Sequence, residues 1–322
     1  MTLIGSTLLL QVLLMIGGLV ALYFGAESLV RGSSAIGFRL GLTPVVIGLT
    51  IVAYGTSTPE LFVGVAGALD GQGDIVIGNI VGANILNIAL MLGVAALIRP
   101  QEVRLQLIRW DLPIVIFAYI AFLWAILNGI IGRFEGAFFF AGIVAYTVFN
   151  IVHARNETRR EVQKEFEEGL PQPSGNTVQE VGFIILGFFL LAMGSDLLVN
   201  NAVAFSDEIG ISKAVVALTV VAIGTTSPEL ATAVVAASRG ESDIVFGNSF
   251  GSCLYNVLCV LGVAAIISPI VAPNISLVDI GVMIFLAVIV LPMMRTGYVL
   301  RRWEGALLIM IYCIYLAYLW PK

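Results

Sequence analysis

The 322-residue chain is 59% hydrophobic and only 11% charged, with a mean hydropathy of +1.02 and a formal net charge of −5. An ordinary soluble domain carries about 25% charge, so a water-soluble enzyme is excluded and a polytopic helical membrane protein remains, each span needing about 20 mostly apolar residues. The apolar runs are continuous rather than alternating, which excludes a transmembrane barrel, and no basic patch offers itself to nucleic acid.

Ten apolar segments follow in chain order, at 8–29, 43–69, 74–98, 111–129, 134–152, 179–200, 213–238, 243–268, 277–294 and 303–320. No Lys or Arg precedes the first segment. It therefore lacks the charged start of a cleaved signal peptide and is expected to stay in the mature protein. That segment carries Glu27. The second holds Glu60 inside Gly55-Thr56-Ser57-Thr58-Pro59-Glu60. A carboxylate at membrane depth costs at least about 2.5 kcal/mol and marks an ion pathway by default. Thr56 and Ser57 lie four and three residues before Glu60, on one helical face. Pro59 cannot donate to the Gly55 carbonyl, so a kink that frees carbonyl oxygens is expected there.

The third segment supplies Asn87, with Ala83 four residues earlier on the same face. Between the fifth and sixth segments, residues 153–178 hold Arg155, Arg159, Arg160, Lys164 and five Glu, followed by Pro171, Pro173 and Gly175. This stretch reads as a solvated linker; it has no EF-hand spacing. The sixth segment carries Asp196, the seventh Glu229 within Gly224-Thr225-Thr226-Ser227-Pro228-Glu229, and the eighth Ser252 and Asn256. Cys253, Cys259 and Cys313 lie in apolar segments without metal spacing and read as inert buried thiols.

The chain repeats itself at a shift of 169 residues. Thr43–Pro100 aligns without gaps on Ser212–Pro269 with 27 identities in 58 positions. Glu60 falls on Glu229, Asn87 on Asn256 and Glu27 on Asp196. Gly78 and Gly82 fall on Gly247 and Gly251, a small-xxx-small spacing that lets helices approach closely. Each copy contains five spans, an odd number, so the two must cross the membrane in opposite directions, as in secondary transporters. The expected fold is an all-α membrane protein of ten transmembrane helices in two inverted five-helix repeats, at 1–152 and 179–322, joined by the 153–178 linker. With the N-terminus outside, 13 of the 16 basic residues fall in loops on the inner side. The positive-inside rule then places both termini outside and the linker in the cytoplasm of an inner-membrane protein.

The duplicated motifs pool two carboxylates, two amides, several hydroxyls and freed carbonyls, with no thiolate or imidazole. The single histidine, His153, stands at a span end. An all-oxygen set of charge about −2 suits a hard cation such as Ca2+, and Na+ fits the neutral oxygens around the same acids; Zn2+ and Cu would want nitrogen or sulfur. At these residues the chain resembles the cation/calcium exchanger superfamily, and within it the Na+/Ca2+ exchangers of prokaryotes. The likeness covers both repeats and almost the whole chain.

That resemblance implies Ca2+ bound at the centre by Glu60 and Glu229. Ala53, Thr56, Ala222 and Thr225 would supply backbone carbonyls, Ser57, Thr226 and Ser252 hydroxyls, and Asn87 an amide. It also implies that the first span of each half slides over a core of the other eight. Two positions depart from the family pattern. Ala83 stands where a Ser often helps to hold Na+, and Asn256 where an Asp is common. The expectation is an antiporter and not an enzyme, with no resident cofactor, with Ca2+ and Na+ as transported partners in a lipid bilayer, functional as a monomer. A Ca2+/H+ antiporter of the same fold is the alternative. A membrane hydrolase built on the two acids, a passive channel and an ATP-driven pump fit less well: acid dyads of hydrolases pair Asp residues, a single duplicated site favours alternating access, and no nucleotide motif is present.

Overall fold

The structure, a computed structural model, describes residues 2–40, 42–156, 176–208, 226–272 and 276–319. The first half contains α1 (Thr2–Leu40), α2 (Pro44–Thr56), α3 (Thr58–Leu69), α4 (Gly73–Ile98), β1 (Gln101–Glu102), α5 (Leu107–Ile126), β2 (Ile130–Ile131) and α6 (Arg133–Asn156). The second contains α7 (Thr177–Glu208), α8 (Ser227–Arg239), α9 (Ser242–Ile267), β3 (Ile270–Val271), α10 (Leu277–Arg295), β4 (Val299–Leu300) and α11 (Arg302–Leu319). Among the described residues, eight helices are long and apolar enough to cross a membrane, and nine if the bent pair α2 and α3 is one span. The expected span at 213–238 is described only from Thr226 onward. Most of the expected linker also lies outside the described residues; its edges are helical, in α6 and α7.

Local chemistry starts and stops these helices. Thr43 caps α2, its hydroxyl accepting from Val46 N–H at 3.4 Å, and Pro44 follows at the first turn, where no N–H is needed. Ser276 caps α10 through Val278 N–H at 3.2 Å. Gly240, at φ 79°, ends α8 in the left-handed region that only glycine enters without strain.

The repeat seen in the sequence is also a repeat of elements. At the same 169-residue offset, α4 falls on α9, β1 on β3, β2 on β4, and the first residue of α6 on that of α11. Each two-stranded sheet joins the halves. Gln101 pairs with Leu300, and the equivalent pair is Ile131 with Ile270. Exchanging the halves therefore exchanges the two sheets, which sit at opposite ends of α5. α4 and α9 form the centre, 78% buried over their apolar windows, whereas the outer helices are 22–44% buried. The outer faces show apolar side chains such as Phe117, Trp124 and Phe134, as a lipid-facing surface requires.

α1 and α7 pack antiparallel through small residues. Gly18 meets Gly194, Gly25 meets Gly187 and Leu191, and Gly32 meets the Glu180 carbonyl. A methyl group at Gly194 would lie 2.8 Å from the Gly18 oxygen, closer than real Cβ atoms come. Arg39 at the end of α1 clamps Glu180 at the start of α7 with bonds of 2.5 and 3.0 Å.

One sequence expectation is corrected. Cys253 and Cys259 are buried, but Cys313 is exposed. It lies on an outward face of α11, where an apolar segment meets lipid rather than protein; hydropathy alone does not separate the two environments.

Candidate functional site

The span expected at 43–69 bends by 48° between α2 and α3. The hinge is Ser57 (φ −87°, ψ 11°), directly before Thr58 and Pro59. Thr226, its equivalent, has φ −89° and ψ 3° at the start of α8, directly before Ser227 and Pro228. The expected kink is therefore present at the first motif, and the second starts its helix with the same geometry. Hydroxyls bond carbonyls of the turn before the bend: Thr56 Oγ1 lies 3.1 Å from Val52 O and 3.3 Å from Ala53 O, and Thr58 Oγ1 donates to Tyr54 O at 2.8 Å. The Ala53 oxygen also accepts Ser57 N–H at 3.0 Å.

Glu60 and Glu229 follow the two hinges in the first turns of α3 and α8, each 1% exposed. Ser57, one turn before Glu60, donates to Oε1 of Glu229 at 2.8 Å. One hydroxyl thus brings the two motifs together. Among the described residues no cationic side chain pairs with either glutamate. Two carboxylates buried without a counter-charge are costly unless a cation joins them.

Asn87 and Asn256 lie in matching π-helical turns, Leu86–Met91 and Tyr255–Val260, at the centre of α4 and α9. Such turns widen a helix locally and recur at functional positions. Both asparagines are buried, as are Ser252 and Ala83. α8 packs against the π-helical turn of α4, and α3 against that of α9; on these helices several polar atoms are buried and make no hydrogen bond among the described residues: both oxygens of Glu60, Oε2 of Glu229, Oδ1 and Nδ2 of Asn87, Oγ of Ser252 and Oδ1 of Asn256. Buried polar groups are normally satisfied. Here the unsatisfied atoms are nearly all oxygens, a donor set that matches a hard cation. Among the described residues no three of His, Cys, Asp and Glu come together.

Glu60, Glu229, Thr56, Ser57, Thr226, Ala53, Asn87, Asn256 and Ser252 are thus all found in the buried interior. Ala222 and Thr225 lie outside the described residues. The structure adds residues that the sequence reading did not single out. Asn248 Oδ1 lies 3.3 Å from Thr56 Oγ1, competing with the Val52 and Ala53 carbonyls for its one proton, and Asn248 Nδ2 donates to the Glu229 carbonyl at 3.3 Å. Ser249 donates to the Asn87 carbonyl at 2.7 Å. Asn248 left a signal, since it recurs as Asn79 at the repeat offset. Ser249 left none, because its equivalent is Ile80.

A cavity of about 730 Å³ reaches the hinge from one side, lined by Thr56, Pro59, Phe62, Phe188, Asp196 and Pro228 among others. Pro228 stands in the first turn of α8. At the last residue of that helix, about 16 Å away by helical rise, Arg239 binds Glu27 of α1. One end is open beside Asp196, and at the other the equivalent acid, Glu27, is paired.

The chain is similar to known proteins over most of its length. A family model described as sodium/calcium exchanger protein matches residues 10–152 and 180–320. The chain is 31% identical to the sodium/calcium exchanger MaX1 of Methanosarcina acetivorans over 341 residues, 95% of this chain and 97% of that one. It is 35% identical to the inner membrane protein YrbG of Escherichia coli over 264 residues, 81% of each chain. The solved structure of the sodium-calcium exchanger NCX_Mj soaked with 2.5 mM Na+ and 0.1 mM Ca2+ matches at a TM-score of 0.81 and 26% identity, covering 96% of this chain and 98% of that chain.

Proposed function

The chain belongs to the sodium/calcium exchanger family, and from that premise we propose that it is a secondary antiporter that expels Ca2+ in exchange for Na+, binding both ions between its two halves. The observation that carries this reading is the pair of buried glutamates, Glu60 and Glu229, joined through Ser57 among oxygen atoms that no described protein group satisfies. Two carboxylates neutralise one Ca2+. The surrounding hydroxyls and amides favour Na+ as the exchanged ion, since Na+ needs several oxygens where a proton needs only the acid. Calcium flux in proteoliposomes separates the alternatives. An imposed Na+ gradient should drive Ca2+ uptake. Uptake driven only by an imposed pH gradient would assign the chain to Ca2+/H+ exchange instead.

The ten-span inverted arrangement is part of the proposal. It is supported by the constant 169-residue offset of the elements, by the sheets that exchange when the halves exchange, and by the antiparallel contact of α1 with its equivalent α7. Alternating access is supported by the cavity at one end of α8 and the Arg239–Glu27 pair at the other. In the orientation that the basic loops favour, the cavity opens outward and the ion pair lies on the cytoplasmic side. Accessibility to a membrane-impermeant thiol reagent tests this, with exposed Cys313 changed to Ser. Ala192→Cys, on the cavity wall, should label from outside, and Gln163→Cys, in the linker, only from the cytoplasm. The reverse pattern overturns the orientation.

A further inference from the structure

Asn84 is fully buried on α4, one turn before Asn87, and belongs to no ligand set derived from the motifs. Its Nδ2 donates to Sδ of Met283 on α10 at 3.7 Å, and its Oδ1 accepts from Nδ2 of Asn256 on α9 at 3.1 Å. The two ends of a carboxamide have nearly the same shape, so its neighbours decide which way round it sits. A thioether has lone pairs and no proton to give. Met283 therefore selects the amino end of Asn84, which turns the Asn84 oxygen toward Asn256. Asn256 must answer with its own amino end, leaving its Oδ1 buried and unbonded among the described residues. The same helix face carries Ser252 one turn earlier, whose Oγ is likewise unbonded.

We propose that Met283 and Asn84 form an orienting relay that holds Asn256 with its carbonyl oxygen toward the transported cation. Both are positioning residues acting through Asn256, and the proposal rests on the cation-exchange reading of the central site. Without the relay, Asn256 can rotate and present its N–H groups, which repel a cation. An Asp at this position would offer oxygen either way round; an amide has to be oriented. The other half holds no such relay among the described residues. The position equivalent to Asn84 is Cys253, and neither end of the Asn87 amide has a hydrogen-bond partner there.

The test uses the reconstituted full chain, with Na+-driven 45Ca2+ uptake as readout and thermal unfolding as the check on folding. Asn84→Ala should raise half-saturating Ca2+ by about tenfold, the effect of roughly one lost ligand, with a smaller change in maximal rate. Met283→Leu, which keeps the volume and removes the acceptor, should raise it about threefold. In an Asn256→Asp background, Asn84→Ala should change half-saturating Ca2+ by less than about twofold, because a carboxylate needs no orienting. A purely structural role for Asn84 would keep its full effect in that background. If Asn84→Ala does not fold, Met283→Leu decides alone: raised half-saturation supports the relay and an unchanged value overturns it. An exchanging wild type whose Asn84→Ala or Met283→Leu variant keeps its calcium dependence overturns the relay alone. So does an Asn84→Ala effect that persists undiminished in the Asn256→Asp background. A wild type without Na+-driven uptake overturns the function on which the relay rests.

Discussion

Glu229→Gln is expected to lower Na+-dependent Ca2+ exchange by roughly 30-fold to several thousandfold, since removing one member of a buried charge interaction costs about 2–5 kcal/mol and about 1.4 kcal/mol is tenfold. The substitution keeps the volume and the acceptor for Ser57, which donates to Oε1 of Glu229 at 2.8 Å. What it removes is one of the two charges that are proposed to face the divalent ion. Glu60→Gln should act as strongly, and more cleanly, because neither oxygen of Glu60 is hydrogen-bonded among the described residues. The folded state should not suffer. Without Ca2+, each variant is expected to melt at or above the wild-type temperature, because an unpaired carboxylate has left a buried position. With Ca2+ at a hundred times its dissociation constant, the wild type should gain about 2.7 kcal/mol, and the variants much less. Robust exchange by either variant, measured in proteoliposomes, would remove the glutamates from the site.

The second large effect is electrical. With both glutamates ionised, Ca2+ makes the site neutral, whereas three Na+ leave it at +1. Exchange at three to one therefore moves a net positive charge inward with the sodium ions, and a potential that is negative inside helps to expel calcium. One charge across 100 mV corresponds to about 2.3 kcal/mol, so an imposed 100 mV should shift the limiting calcium ratio by roughly 50-fold. The resemblance to Na+/Ca2+ exchangers implies a sodium-binding hydroxyl at the position of Ala83. Ala83 is buried on α4, while its counterpart in the other half, Ser252, carries a buried hydroxyl without a hydrogen bond among the described residues. Ala83→Ser supplies the missing hydroxyl. It is expected to lower the sodium concentration for half-maximal exchange severalfold, with calcium affinity little changed. Flux insensitive to potential sinks the three-sodium stoichiometry, and an unchanged sodium dependence in Ala83→Ser removes that position from the sodium site.

Much of this was legible in the sequence, for local physical reasons. Length and hydropathy set the helices, because the bilayer leaves backbone groups no other partner. The duplicated Thr-Ser-x-Pro-Glu type of motif placed the bend, because proline breaks the ladder wherever it stands. Even the two-residue strands obey the 169-residue offset. The glutamates stood out because a carboxylate in an apolar run needs a reason to be there.

What the tertiary structure decided depends on which helices meet and at what rotation. No local signal marks the π-helical turns that carry Asn87 and Asn256. The bonds of Asn248 to Thr56 and of Ser249 to Asn87 join residues 192 and 162 positions apart, pairings that no local pattern specifies. The contacts of Asn84 join it to Asn256 and to the sulfur of Met283, 172 and 199 residues away. Cys313 faces outward although its segment is long and apolar enough to be a membrane span. In each case hydropathy records only that a residue is out of water. Whether it meets lipid, a neighbouring helix or a transported ion depends on the packing of α4 against α9 and of the outer helices around them.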